Sequence, residues 1–455
     1  MKQTFAKVSP FQVDPQAIEQ AFGLQPGDFD QASQTERESV VEMHKSVSYW
    51  RDAWRRFRAN RVSMTAMVIF IICLLFAFVG PQLIPYNYAD QYRSSQKLAP
   101  FEYAEDEQIV RALAQNCDAF FATALQPGSL TAIKKGDYYV EWKGATYAFT
   151  LEKAIEKAVL VLDADAADPL FVVKMKDIAE DGTWEESTPI ALSDAPAEGA
   201  QPVRLVTRVF PHVFGTDCGG RDLMARTMYG AQVSIIIGIA AAIIVLVIGS
   251  IYGAISGLSG GAVDFIMMRI VELIYSIAEV LIVLLLQVVL KDPLQAWFDA
   301  HKSGVGGMLG DLGAGIVSIF ITFALLYWVT MARIVRGQVL QLKKQEYVTA
   351  AYALGAGSGR IIRRHLLPNS VGPLVITTCL QIPSAIFLES FLSFLGMGVS
   401  APMASLGSLC SDALETITLF PYRLIFPAVL LTVIVLTLNL IGDGLRDALD
   451  PRLKK

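Results

Sequence analysis

The sequence predicts an all-α polytopic membrane protein with six spanning helices and an α+β domain inserted between the first two. Composition points there first. Of 455 residues, 53% are hydrophobic and 18% charged, and the mean hydropathy is +0.44, well to the apolar side of soluble domains. Six apolar stretches match the length needed to cross a hydrocarbon core about 30 Å thick. One long polar segment, 87–221, separates the first stretch from the second and contains runs of β-forming residues.

The same composition closes off other classes. A formal net charge of −5 offers no clustered basic surface, so no nucleic-acid partner is expected, whereas membrane lipid is. The four histidines and five cysteines are scattered without CxxC or HExxH spacing, so no metal site is expected.

Residues 1–62 form an N-terminal segment. Near its end Trp50, Trp54 and Phe57 recur at helical spacing with Arg51, Arg55 and Arg58 offset from them, which suits an amphipathic helix in the membrane interface. A helix packed on the protein's own surface shares that periodicity. The first span lies within 63–86, at Met64–Gly80. A long, mostly polar segment precedes it, so a cleaved signal peptide is not expected. The core, 222–447, holds five more spans: Gly230–Gly257, Val263–Leu290, Leu312–Ala332, Val371–Leu395 and Leu424–Gly442. Gly, Ala and Ser among the Ile and Val of the second suggest close helix packing. The third is interrupted by Arg269, Glu272 and Glu279, and Val280–Leu290 is too short to span alone. The tail is 448–455.

Orientation follows from Lys and Arg beside the spans. Arg51, Arg55, Arg56, Arg58 and Arg61 precede the first; Arg333, Arg336, Lys343, Lys344, Arg360, Arg363 and Arg364 lie between the fourth and fifth; Arg452, Lys454 and Lys455 close the chain. All three places are expected on the cytoplasmic side of the cell membrane. With both termini inside, the number of spans is even, which retains the third.

The inserted segment 87–221 is then extracytoplasmic. Asp137–Thr150 reads as a hairpin turning at Lys143-Gly144. Leu151–Val159 reads as a short helix, Val159–Leu162 and Pro169–Met175 as strands, and Ser193–Gln201 as a linker. Cys117 and Cys218 would lie on the same side, as a disulfide or as two unpaired residues.

Between the fourth and fifth spans, Gln345–Ser370 (QEYVTAAYALGAGSGRIIRRHLLPNS) carries the most information. Glu346–Leu354 is rich in helix formers, and Gly355 is placed to end that helix in a left-handed conformation. Ser358 is placed to cap a second short helix reaching Leu367, and Pro368 to stop it. Two short helices meeting at a glycine make an elbow able to press into a groove on another protein, although physics alone allows an ordinary basic loop.

This segment resembles the coupling motif of ABC-importer permeases, with an E-A-A triplet, a glycine four residues later and a terminal L-P. Ala350, Ala351, Gly355, Leu367 and Pro368 match, Thr349 takes the acidic place, and His365 stands where Ile is frequent. Glu346 precedes the triplet as in the dipeptide/oligopeptide branch. Three further stretches are similar to that branch: Phe214–Ser234 (FGTDCGGRDLMARTMYGAQVS), Glu389–Val399 (ESFLSFLGMGV) and Asn439–Leu453 (NLIGDGLRDALDPRL). The resemblance implies the type I importer permease fold and a peptide importer. It implies a coupling loop, 336–370, and as its contacts Glu346, Thr349, Ala350, Ala351, Gly355, His365, Leu367 and Pro368. It further implies a second permease as heterodimer partner, one or two cytoplasmic ATPase subunits holding ATP and Mg, and an extracytoplasmic peptide-binding protein. The alternative within the same transporter family is a permease for nickel or another small solute. Two features depart from the pattern: the inserted domain is large, and Tyr275–Ala278 lacks the frequent proline, so a straighter third helix is expected.

No G-x-x-x-x-G-K-[ST] loop, nucleophile or general base is evident, so the chain is not expected to be an enzyme. An ion-coupled secondary transporter would account for acids within a span but not for the elbow. Arg269, Glu272, Ser276 and Glu279 would share one face of a continuous helix. Ionisable groups at membrane depth face protein or a watery cavity. Either Glu272, Ser276 and Glu279 border the pathway and meet a peptide's ammonium end, or Arg269 pairs with Glu272 and Glu279 bonds a neighbouring helix.

Overall fold

Among the described residues, six helices are long and apolar enough to cross a membrane. The computed structural model describes residues 49–449 apart from 85, 90, 92–95, 117–119, 122–131, 134, 143, 157, 163–168, 180, 194, 198, 204–209, 303–304 and 400–402. Most of the N-terminal segment, Cys117, Lys143 and the last residues therefore lie outside the described ones. The chain divides into two units, Met1–Asp52 and Ala53–Lys455. Of the first, only the opening turn of α1 (Tyr49–Ala59) is described.

Along α1, Trp54 stacks on Phe57 with ring centroids 5.8 Å apart. Trp54 stays half-exposed, while Phe57 is buried. The first span, α2 (Arg61–Phe78), starts where the Asn60 side chain accepts from the N–H groups of Val62 and Ser63 at 3.1 and 3.3 Å, satisfying two donors that a helix start leaves open.

Among its described residues the inserted segment folds as two four-stranded sheets, one two-stranded sheet and an α-helix. Helix α3 (Glu105–Asn116) is followed by the hairpin β1 (Gly136–Trp142) and β2 (Ala145–Leu151), with Gly144 at φ 84° in the turn. A second antiparallel pair, β3 (Ala158–Leu162) and β4 (Leu170–Lys174), lies between that hairpin and α3. Alternation explains the layering: Leu160, Leu162 and Leu170 face Tyr138, Val140 and Phe149, while Val159, Val161, Phe171 and Val173 face Leu113 of α3. The β3 run AVLVL is buried at every position because both faces are covered. The helix expected at Leu151–Val159 is absent: Leu151 ends β2, Ile155–Glu156 pairs with Ala132–Ile133, and β3 follows. Helix propensity there yields to cross-strand pairing and burial.

The second span, α4 (Leu223–Ser259), is the longest helix among the described residues. The third departs from the expected single stretch, because it is two helices, α5 (Gly261–Tyr275) and α6 (Glu279–Ala300). No proline is needed for the break. The Ser276 hydroxyl donates to the Leu273 carbonyl at 2.8 Å, Ala278 turns extended, and Glu279 supplies negative charge at the new helix start. The expectation of a straighter third helix is therefore wrong. Arg269, Glu272, Ser276 and Glu279 do not share the face of one helix.

The fourth span, α7 (Ala314–Leu342), contains one π turn at Phe323–Tyr327. It lies against α4 through glycines: a Cβ at Gly249 would come 2.6 Å from Met331 Cβ, one at Gly257 2.9 Å from Val339 Cγ1, and one at Gly253 would collide with the Ala332 carbonyl oxygen. Where lipid tails give no hydrophobic drive, such backbone-level contact supplies the packing energy. Between α6 and α7, Ser318 donates to Gln287 at 2.6 Å and Gln287 donates to Thr322 at 3.3 Å, all three buried.

Short helix α8 (Glu346–Ala353) leads to α9 (Ser358–Ile361), which runs on through a π turn at Ile362–Leu366 and a last turn at Leu367–Asn369. Gly357, not Ser358, is the N-cap, and Pro368 does not stop the helix. The preceding π turn displaces the hydrogen-bond register, so the N–H that proline lacks is not required by an α-helical partner. The last spans are α10 (Val371–Phe394), with Pro383 inside, and α12 (Tyr422–Leu449), joined through α11 (Leu406–Leu414).

Candidate translocation cleft and docking elbow

Three irregular points of the bundle converge on one cleft of about 500 Å³, within the size range of small-ligand pockets. The break between α5 and α6 contributes Ile274, Tyr275, Ile277, Glu279 and Ile282. The π turn of α7 and the turn after it contribute Leu326, Tyr327, Val329 and Thr330; α10 contributes Gln381 and Ser384, either side of Pro383. Tyr327 and Glu279 line the cleft together, the phenol beside the carboxylate. Apolar walls with a few polar groups of opposite hydrogen-bonding sense are what a solute-binding surface requires.

Of the three residues singled out for a pathway, only Glu279 lines this cleft. Glu272 instead accepts from Arg269 at 2.6 Å on an exposed surface, and the Ser276 hydroxyl is spent on the helix break. Tyr327, Thr330, Gln381 and Ser384 were not singled out by spacing. The π turn inserts an extra residue that no hydropathy pattern reports, and Pro383 was the only signal near Gln381 and Ser384.

The elbow forms as its glycine requires. Gly355 has φ 78°; the Ala356 N–H donates to the Ala351 carbonyl at 3.0 Å and the Gly355 N–H to that of Tyr352 at 2.9 Å. That pair of bonds is a Schellman close. Val348, Ile361 and Leu366 are fully buried beneath it. Outward, Leu354 is 89% exposed, flanked by half-exposed Tyr347 and Tyr352. Thr349, Ala350 and His365 lie on or near this surface, Ala351 faces inward, and the Asn369 amide ties the His365 carbonyl at 2.6 Å. At the elbow's root Arg336 grips Asp264 through two bonds, at 2.6 and 2.5 Å, and Lys343 donates to the Gly257 carbonyl at 2.8 Å. The start of α5 and the end of α4 are thereby fixed to the end of α7.

A family model described as the binding-protein-dependent transport system inner membrane component matches residues 249–455, and one described as the N-terminal TM domain of oligopeptide transport permease C matches residues 48–100. The oligopeptide transport system permease protein OppC of Bacillus subtilis is 47% identical over 244 residues, 54% of this chain and 73% of the relative. The chain belongs to this family of binding-protein-dependent transport permeases. The dipeptide transport system permease protein DppC of Bacillus subtilis is 45% identical over 54% of this permease and 70% of the relative. DppC of Lactococcus lactis is 32% identical over 90% of this permease and 92% of its own length, so that similarity takes in the inserted domain.

Two of the permease's motifs are buried polar knots. In FGTDCGGRD, Asp217 accepts from the N–H groups of Gly219 and Arg221 at 2.8 and 2.9 Å, and holds the side chains of Arg221 and Arg226. Burial disfavours its charge, but Arg226 and Arg221 outweigh that and hold the Asp217 carboxyl below the usual range. In ESFLSFLGMGV, Glu389 is fully buried among Ser234 of α4 at 2.7 Å, Ser393 at 2.7 Å and Ser390 at 3.3 Å. The first knot fixes the entry loop to the start of the second span, and the second ties the second span to the fifth, so these motif residues hold the bundle together.

Proposed function

We propose that this permease carries peptides inward across the cell membrane, as one half of a pathway completed by a second permease. The observation that carries the reading is the cleft at the α5–α6 break, flanked by a π turn and a proline-bearing helix. Irregular backbone inside a membrane is tolerated only beside protein or a watery cavity, and π turns gather at working sites. Membership of a family whose relatives are peptide permeases supports peptide as the cargo.

In this reading the elbow end, with Arg360, Arg363 and Arg364, faces the cytoplasm, both termini lie there, and the inserted domain lies outside. The elbow docks on one or two ATPase subunits, which bind ATP and Mg and perform the hydrolysis. Glu346, Thr349, Ala350, Ala351, Gly355, His365, Leu367 and Pro368 shape or line the docking surface, with Leu354 as its most exposed apolar group. An extracytoplasmic binding protein delivers the peptide. Alternating closure of the ATPases moves the elbow and, through the clamps at Asp264 and Lys343, the spans around the cleft.

Reconstitution with the second permease, the ATPases and the binding protein in proteoliposomes tests the function. ATP-dependent accumulation of peptide, lost when the ATPases are omitted, is expected. Uptake without them, or uptake of nickel and not peptide, overturns the reading. Cysteines placed at Ile277, Thr330 and Gln381 are expected to react with a water-soluble thiol reagent faster than one at Leu273.

A further inference from the structure

Glu279 occupies a position that packing does not require. It opens α6, is exposed in the chain, and faces the cleft beside Tyr327. No lysine or arginine lines the cleft. Arg333 of α7 is engaged with the ring of Tyr275, 4.0 Å from its centroid, and Arg269 is taken by Glu272. An ion within membrane depth is costly unless a counter-charge or water meets it. Here the α6 helix start and the Tyr327 hydroxyl favour the carboxylate, and the cation is missing. Across the cleft, the Gln381 amide, the Ser384 hydroxyl and the Thr330 hydroxyl provide both donors and acceptors, which suit peptide N–H and C=O groups.

We propose that Glu279, beside Tyr327 in the cleft, is the counter-charge for a primary ammonium group of the peptide in transit, with Gln381, Ser384 and Thr330 bonding the adjoining peptide backbone. The permease itself then selects for a charged amine, in addition to any choice made by the binding protein. This rests on the peptide-import reading. The ammonium comes from the peptide's N-terminus or from a lysine side chain, and the chemistry at Glu279 is the same. Fixed charges of this kind discriminate because the unmatched cargo leaves the carboxylate buried against it without a partner.

The test uses the assembled transporter in proteoliposomes, with the binding protein saturated by each peptide so that delivery is equal. Three peptides of one length are compared: free N-terminus without lysine, N-acetylated without lysine, and N-acetylated with one lysine. The readout is the uptake ratio of each amine-bearing peptide to the acetylated, lysine-free one. Glu279→Gln is expected to lower at least one of these ratios about tenfold, Tyr327→Phe about threefold, and Glu279→Asp to restore most of it. A fall confined to the first peptide assigns the N-terminal amine, and a fall confined to the third assigns lysine. Ratios unchanged by Glu279→Gln, or equal loss for all three peptides, overturn the proposal. If the unaltered transporter accumulates no peptide, it is the import reading that falls instead.

Discussion

His212 donates from Nδ1 to Asp222 at 2.7 Å, and the other oxygen of Asp222 caps the first turn of the second span by accepting from the Ala225 N–H, also at 2.7 Å. The imidazole is fully buried, stacked on Tyr86 at 4.3 Å between centroids, with Nε2 3.4 Å from Glu107 of α3. That last contact is an ion pair and not an aligned hydrogen bond, since Nε2 has no hydrogen-bond partner. One cation thus ties the inserted domain to the start of a membrane helix.

This junction is expected to weaken at high pH. Burial disfavours the His212 charge, but the hydrogen bond to Asp222 and the negative charges of Asp222 and Glu107 outweigh it and raise the pKa to about 9 from 6.5. A raised folded-state pKa stabilises fully below about 6.5 and is lost as pH climbs through about 9, on the order of 3 kcal/mol in all. Thermal unfolding of the purified permease across that window checks it. His212→Gln is expected to be less stable at pH 6 and to show a flatter pH dependence. An unchanged profile sinks the assignment.

Substitution along the contact of α4 with α7 separates packing from helix propensity. Gly253→Leu is expected to destabilise by at least the roughly 1–3 kcal/mol of core overpacking, because its Cβ meets the Ala332 carbonyl. Gly337→Leu, with nothing within 4 Å of its Cβ, is expected to be neutral or better. Folded yield after detergent extraction reads the difference.

At the elbow, nothing lies within 4 Å of a Cβ on Gly355, so any effect there is a backbone effect. Gly355→Val is expected to cost about 1–2 kcal/mol for its left-handed conformation and to re-aim α9, while Gly355→Asn is tolerated. Insertion in the membrane should persist in both, with ATP-driven uptake lost only in the valine variant. Normal uptake by Gly355→Val removes the docking role.

Replacing Glu389 with Leu strands the hydroxyls of Ser234 and Ser393 in a dry core. With unmade buried hydrogen bonds costing about 1–3 kcal/mol each, a loss on the order of 3 kcal/mol is expected, and Glu389→Gln should recover part of it. Calorimetry or thermal-shift midpoints in detergent decide, and a stable leucine variant would contradict the knot.

Six spans, the hairpin at β1 and β2, and the left-handed Gly355 were legible because each rests on a local rule: length of an apolar run, paired β-formers about a glycine, and a helix end. The break at Ser276 was not. It coincides with one hydroxyl bonding the Leu273 carbonyl, and no breaker residue in Tyr275–Ala278 marks it. The π turn holding Tyr327 leaves no trace in composition, so the neighbour of Glu279 was invisible while Glu279 itself stood out. At Leu151–Val159 strong helix formers were overridden by a strand partner, Ala132–Ile133, that lies far off in sequence.

The glycine contact between α4 and α7 has a mechanical consequence. With 37 residues at about 1.5 Å each, α4 is a rod about 55 Å long, and at Gly249, Gly253 and Gly257 its backbone seats directly on Met331, Ala332 and Val339 of α7, leaving little slack to absorb shear. Bonded to α7 and anchored at its far end by Asp222, it transmits rotation with little give. A tilt of roughly one-tenth of a radian at the elbow would sweep its opposite end by about 5 Å, and His212 sits at that end, where a stroke of such size is felt as a pull on the inserted domain.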